Sequence, residues 1–253
     1  ALMMNLFKIL KLSFFLIFFM ACNSSNSLDD ENLILSDEDI NIVENQNLNS
    51  NSLDQTQFTL LALGDSYTIG DGVNEEQRWP NQFIQVAYEN GVDFTSFRII
   101  AETGWKSYDL INAIASSDFE QKYDYISLLI GVNNQFNSRP VNEFKDDLDN
   151  LLIKMNNLKK KNGSILVISI PDWGSTPYGV SFDKNRNEIS NEINAFNNIL
   201  KNFADNNGLK YVDVTEISRR AINEPNLITT DNLHPSGLMY LEWAKKIFNI
   251  WID

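Results

Sequence analysis

From residue 57 onward the chain alternates between short apolar runs and longer amphipathic stretches, and the two periods predict different elements. Residues 58–63 (Phe-Thr-Leu-Leu-Ala-Leu) form a short apolar run bounded by Gly64, which predicts a buried strand. Helical spacing follows over 75–90, a second strand over 97–101, a short helix over 107–115 and a third strand over 125–130. A long amphipathic helix is predicted over 141–161. The β-branched segment 164–170 (Ser-Ile-Leu-Val-Ile-Ser-Ile) then predicts a fourth strand. A second long helix over 188–206, a fifth strand over 209–214 and a closing helix from Pro235 to about residue 250 complete the pattern. Strands and helices alternating at these lengths predict an α/β fold, an open parallel sheet with helices on both faces. Function in such sheets collects at the carboxyl ends of the strands, and Ser66, Asn133 and Asp172 fall just past such ends.

The first 56 residues have another character. Lys8 and Lys11 precede an apolar run over 12–21 that ends at Cys22, the single cysteine of the chain. About ten apolar residues suit the core of a signal peptide and fall short of the ~20 that a spanning helix needs. Translation is expected to start at Met3 or Met4. Phe19-Met20-Ala21-Cys22 is similar to a bacterial lipobox, with Phe19 and Met20 where Leu and a small residue are usual. Segment 1–22 is therefore expected to be a signal peptide with Cys22 lipidated, the alternative being a plainly cleaved or retained signal. A sole cysteine cannot form an internal disulfide.

Residues 23–56 are rich in Asn and Ser and carry eight acidic residues, no basic ones, and no proline or glycine. Such a segment buries too little surface to offset its ordering entropy and is expected to be a disordered tether. Its Asp29-Asp30-Glu31 group reads either as a surface-export signal or as simple solvation. The chain carries a formal charge of −14, and about half of the acidic excess beyond the leader belongs to this tether. No basic footprint suggests nucleic acid. The expected localisation is exported, on a bacterial cell envelope, held to the membrane by lipid on Cys22. Stable anchoring takes more than one acyl chain.

Candidate chemistry is confined to the domain over 57–253. The only histidine sits in Asp231-Asn232-Leu233-His234-Pro235, so a serine nucleophile with an imidazole base would have only one possible base. A serine hydroxyl is a weak nucleophile until an imidazole takes its proton, and a carboxylate that fixes the imidazole tautomer strengthens that base. Asp231 is placed to do so across one tight turn.

Four blocks stand in order: Gly64-Asp65-Ser66, Thr103-Gly104-Trp105, Gly131-Val132-Asn133-Asn134 and Asp231-Asn232-Leu233-His234. Together they resemble the SGNH hydrolase superfamily, also called GDSL esterases and lipases. The resemblance implies a three-layer α/β/α sandwich with a flavodoxin-like, doubly wound five-stranded parallel sheet. It implies Ser66, Asp231 and His234 as the catalytic triad, and an oxyanion hole made by the N–H groups of Ser66 and Gly104 and the amide of Asn133. The family more often has Asp where Asn134 stands, which removes whatever contact that carboxylate makes.

Other chemistries find less support. There is no Gly-x-Ser-x-Gly elbow, and Gly70-Asp71-Gly72 lacks the third glycine of a dinucleotide fingerprint. Asp183-x-Asn185-x-Asn187 begins like a calcium loop but has Glu188 where glycine is required. One histidine and one cysteine exclude an ordinary zinc site. No cofactor and no metal are expected.

Tyr67, Trp79, Trp105, Phe136, Trp173 and Tyr178 could line an acyl or sugar pocket or could simply pack; Asp65 and Asp172 read as structural. The expected activity is hydrolysis of carboxylic esters, with short acyl groups favoured because no inserted lid is evident. A lysophospholipid and a glycan O-acetyl group remain alternative substrates, and an acyltransferase would use the same residues. From another class, a surface binding module could keep the fold without turnover; intact Ser66, Gly104, Asn133, Asp231 and His234 count against it.

Overall fold

The computed structural model describes residues 57–252. The expected leader, tether and lipidated Cys22 lie outside the described residues. Five parallel strands, β1 (Gln57–Gly64), β2 (Asp93–Ala101), β3 (Tyr123–Leu129), β4 (Lys159–Ile168) and β5 (Lys210–Val212), pair in the order β2-β1-β3-β4-β5. The expected α/β fold is therefore the one observed, with the doubly wound strand order of flavodoxin-like sheets. Leu60 to Leu63 on β1 are all fully buried, as a central parallel strand covered on both faces must be.

Helices α1 (Ser66–Ile69), α2 (Trp79–Glu89), α3 (Ser107–Ser116), α4 (Val132–Phe136) and α5 (Val141–Leu158) occupy the first two thirds. Helices α6 (Pro177–Ser181), α7 (Arg186–Asn206), α8 (Thr215–Arg219) and α9 (Gly237–Trp251) complete the domain. Helix α2 packs on α9, whereas α5 packs on α3 and α7. One core of aliphatic and aromatic side chains runs through the sheet, with Phe83, Trp243 and Tyr240 fully buried beneath α2 and α9 and Phe144 and Leu151 beneath α5.

Several boundaries differ from the sequence pattern. The helix expected over 75–90 is a single 3-10 turn, Glu75–Gln77, followed by α2. Pro80 sits in the first turn of α2, and proline neither donates an N–H nor tolerates a preceding helical turn. The helix expected to reach Lys161 stops at Leu158, because the next residues join the sheet: Lys159 pairs with Tyr123, and Lys160 Nζ lies 2.7 Å from Asp124 Oδ2. The closing helix starts at Gly237 rather than Pro235, capped by Ser236, whose hydroxyl accepts from Met239 N. Pro235 instead bridges to Ile228. His234 thus lies in a turn outside the helix.

The strand order reverses between β1 and its neighbours β2 and β3, which opens a crevice at their carboxyl ends. Gly64 ends β1 at a point where a Cβ would stand 2.6 Å from Leu129 O and 2.1 Å from Thr68 Oγ1. Only glycine lets β1 run this close to the end of β3 before the chain turns into α1.

Candidate active site

Ser66 is the first residue of α1, so its N–H is among those without an intrahelical acceptor. Asp65 caps this helix, its Oδ1 accepting from Tyr67 N at 3.1 Å. The Asp65 carboxyl is fully buried, Oδ2 has no hydrogen-bond partner among the described residues, and desolvation pushes its pKa up to about 8. The structural role expected for Asp65 is thus a neutral cap beneath the Ser66 turn.

Asp231 and His234 are joined within one turn. Asp231 Oδ1 accepts from the backbone N–H groups of Leu233 (2.8 Å) and His234 (2.9 Å) and from Thr229 Oγ1 (2.7 Å). Oδ2 stands 2.7 Å from His234 Nδ1. One oxygen builds the turn and the other holds the imidazole. Partial burial would raise the Asp231 pKa, but the Thr229 hydroxyl, the imidazole and the two N–H groups outweigh it and hold it down to about 2. Asn232, between them, adopts the left-handed conformation (φ 66°) that asparagine tolerates better than most residues.

A cavity of about 150 Å³ at the crevice is lined by Ser66, Gly104, Asn133 and His234. Four of the five expected site residues therefore share one pocket, and Asp231 reaches it through His234. Gly104 has φ +82° and open space where a Cβ would point, so it is conformation, not crowding, that calls for glycine there. Asn133 Nδ2 donates to Trp105 O at 3.0 Å. An amide nitrogen carries two hydrogens, so this bond fixes the side chain and leaves the second without a partner among the described residues.

Asn134, by contrast, is buried and points away. Its Oδ1 accepts from Ser107 N (3.0 Å), its Nδ2 donates to Ser107 Oγ (2.7 Å), and that hydroxyl donates to Asp147 Oδ2 (2.5 Å). The departure at Asn134 thus has a structural contact of its own, tying the Asn133 turn to α3 and α5.

Of the six aromatic candidates, Tyr67, Phe136, Trp173 and Tyr178 line the pocket. Trp79 does not; it is fully buried in the core, and Trp105 contributes its carbonyl to Asn133. Trp173 is the centre of the aromatic wall, with Phe136 at 5.3 Å and Phe182 at 5.2 Å between ring centroids. Trp173 Nε1 donates to Gln135 Oε1 at 2.7 Å. Asp172 is structural as expected: Oδ1 accepts from Gly174 N and Oδ2 pairs with Arg219 Nε at 3.0 Å.

Phe182, Thr229 and one charged residue beside the pocket, Asp71, were not singled out from sequence. Asp71 Oδ2 accepts from Thr103 Oγ1 at 2.6 Å and lies 3.9 Å from His234 Nε2. Its position one residue past the Gly70 cap of α1 was the only available signal.

Residues 62–241 match the GDSL-like Lipase/Acylhydrolase family. The chain belongs to that family. A comparison with curated protein sequences finds no match. Among solved structures, a lipolytic protein of the G-D-S-L family from Veillonella parvula superposes with a TM-score of 0.60 at 16% identity, over 77% of this chain and 98% of its own. TesA superposes at 0.58 with 15% identity, over 76% of this chain and 97% of its own. A variant of an acetyl xylan esterase from Geobacillus stearothermophilus does so at 0.58 with 16% identity, over 76% and 93%. At these identities the likeness is one of fold. Family membership makes this GDSL protein a hydrolase of ester bonds at a general level.

Proposed function

We propose that this family member is a serine esterase that hydrolyses carboxylic esters of short acyl groups through Ser66, His234 and Asp231. The observation that carries the reading is the 2.7 Å contact of Asp231 Oδ2 with His234 Nδ1, in a turn that presents the imidazole to the pocket holding Ser66. With Nδ1 engaged, the neutral imidazole keeps its Nε2 lone pair for the serine proton. As Nε2 takes that proton, Ser66 Oγ bonds to the acyl carbon and the carbonyl electron pair moves onto oxygen. The N–H groups of Ser66 and Gly104 and the second amide hydrogen of Asn133 are the donors available to that oxyanion. Collapse of the adduct breaks the bond to the leaving oxygen, which receives the proton from Nε2. Water then repeats the sequence on the acyl-serine, returning the proton to Ser66 and releasing the carboxylic acid.

Ser66→Ala and His234→Ala should each lower kcat on p-nitrophenyl acetate by about four orders of magnitude with unchanged thermal unfolding. Turnover within tenfold of wild type in folded Ser66→Ala would overturn the triad.

In the same reading the protein is exported and held to the cell-envelope membrane by lipid on Cys22. The support is the Lys8, Lys11 and apolar-run pattern ending in Phe19-Met20-Ala21-Cys22. Among the described residues no helix is long and apolar enough to cross a membrane. Cys22→Ser should abolish labelling by a fatty-acid probe and remove the protein from the membrane fraction, whereas labelling that persists would refute the anchor.

A further inference from the structure

Asp71 is hydrogen-bonded to two of the four blocks that build the pocket and lies beside a third. Its N–H donates to Ser66 O at 3.1 Å, its Oδ2 accepts from Thr103 Oγ1 at 2.6 Å, and the same oxygen lies 3.9 Å from His234 Nε2. The second oxygen, Oδ1, makes no hydrogen bond among the described residues, and the side chain is 30% exposed. The carboxylate is therefore fixed at one end and open at the other.

Its place relative to the imidazole decides what it can do. Nδ1 is already taken by Asp231, and 3.9 Å exceeds hydrogen-bond length, so Asp71 is neither a second orienting acid nor a direct partner of Nε2. Nε2 is the nitrogen that must deliver a proton to the leaving oxygen, which brings that oxygen within about 3 Å of it. Asp71 Oδ2, 3.9 Å from that nitrogen, is within reach of the alcohol half of an ester held there. An ionised carboxylate only accepts hydrogen bonds, so it rewards a donor on the alcohol and penalises an aliphatic group that would leave it partly desolvated and unpaired. A hydroxyl on the carbon next to the ester-bearing carbon is the donor closest to the leaving oxygen.

Resting on the esterase reading above, we propose that Asp71 selects the alcohol: the preferred substrates are monoesters of vicinal diols, whose free hydroxyl donates to Asp71. Two sources share this chemistry, a partly acylated sugar and a monoacylglycerol unit.

The test is a ratio of kcat/KM values measured on matched esters. One pair is an acetylated methyl xyloside with a free neighbouring hydroxyl and its analogue deoxygenated at that carbon; the other is glyceryl monobutyrate and propyl butyrate. Hydrogen bonds to charged groups are strong enough for the hydroxyl-bearing ester of at least one pair to be preferred about ten- to hundredfold by the wild type. That ratio should fall toward one in Asp71→Ala, and partly in Asp71→Asn, which keeps an acceptor for Thr103 but loses the charge. The pair with the larger Asp71-dependent ratio identifies sugar or glycerol as the source.

A wild-type ratio near one in both pairs would overturn the proposal, as would a ratio that survives in folded Asp71→Ala. Equal loss on both members of a pair would also overturn it, because the carboxylate would then serve the chemistry common to them. Absence of turnover on all four esters, with no labelling of Ser66 by a fluorophosphonate, would instead bring down the esterase reading itself.

Discussion

Asn134 and Ser107 are joined by two hydrogen bonds: Asn134 Oδ1 accepts from Ser107 N at 3.0 Å, and Asn134 Nδ2 donates to Ser107 Oγ at 2.7 Å. The hydroxyl hydrogen of Ser107 is already committed to Asp147 Oδ2. Asn134→Asp, although nearly isosteric and closer to the usual family residue, replaces the donor by an ionised acceptor facing an oxygen with no hydrogen to offer. The cost of leaving such buried groups mismatched is about 1–3 kcal/mol, so the substitution should lower the unfolding free energy by that amount in chemical denaturation. An unchanged or raised midpoint would show that the Ser107 hydroxyl turns from Asp147 to the introduced carboxylate.

Asn133→Ala should behave differently from any change at Asn134. A donor that acts on charge developing only in the transition state affects kcat far more than KM, by about 10²–10³ for one oxyanion-hole group. Steady-state kinetics on p-nitrophenyl acetate read the split. A comparable kcat loss in folded Asn134→Ala would mean that the two side chains share the work and that Asn133 is not the specific donor.

The Asp231–His234 turn should keep its carboxylate contribution over most of the acid range. Asp231 is held at about 2, below the usual carboxylate value. A depressed carboxylate contributes its stabilisation above its unfolded pKa and loses it only as pH falls toward 2, so the turn should add no inflection above about pH 4. A loss of stability that sets in well above about pH 4 and is absent from Asp231→Asn would show that the carboxylate is not held down.

Asp65 predicts the opposite sign for stability. Its pKa is raised by burial to about 8, so between about pH 4 and 8 the folded state retains a proton that the unfolded chain gives up. The stability contribution of this group is present in full below about pH 4 and declines as pH rises to about 8. Asp65→Asn keeps an acceptor for Tyr67 N and has no such proton to hold. The Tm of Asp65→Asn relative to wild type should therefore climb from about pH 5 to about pH 8, and a constant difference would show that the buried carboxyl is not neutral.

Chain-length preference follows from the size of the cavity. About 150 Å³ holds roughly five water-sized units, enough for a short acyl group. Each methylene that stays buried is worth about 0.8 kcal/mol, so kcat/KM should increase from acetate and then level off after about four carbons. The butyrate ester of p-nitrophenol should outperform the acetate, with no further gain for the dodecanoate below micelle formation. A rise that continues to the dodecanoate would point to a longer acyl groove along Phe136 and Phe182, and to lipid esters.

The sequence by itself determined the sheet, its helical cover and the Asp231–His234 pair, because each rests on local spacing. The apolar run over 60–63 is short and bounded by Gly64, as a strand buried on both faces is, and three residues of a turn suffice to bring a carboxylate onto an imidazole. Gly104 and Asn133 were singled out by the resemblance to the SGNH family and not by spacing; their blocks follow β2 and β3. Only the tertiary structure decided the rest. Trp79 and Trp173 are both tryptophans near motif blocks, yet one fills the core and the other lines the pocket, a difference set by packing and not by residue type. The helix from Val141 ends at Leu158, where Lys159 and Lys160 find partners on β3 that helix propensity cannot anticipate. Asp71 meets Thr103 and His234 across gaps of 32 and 163 residues, and no local spacing encodes a contact that exists only once β1, β2 and the His234 turn converge at one end of the sheet.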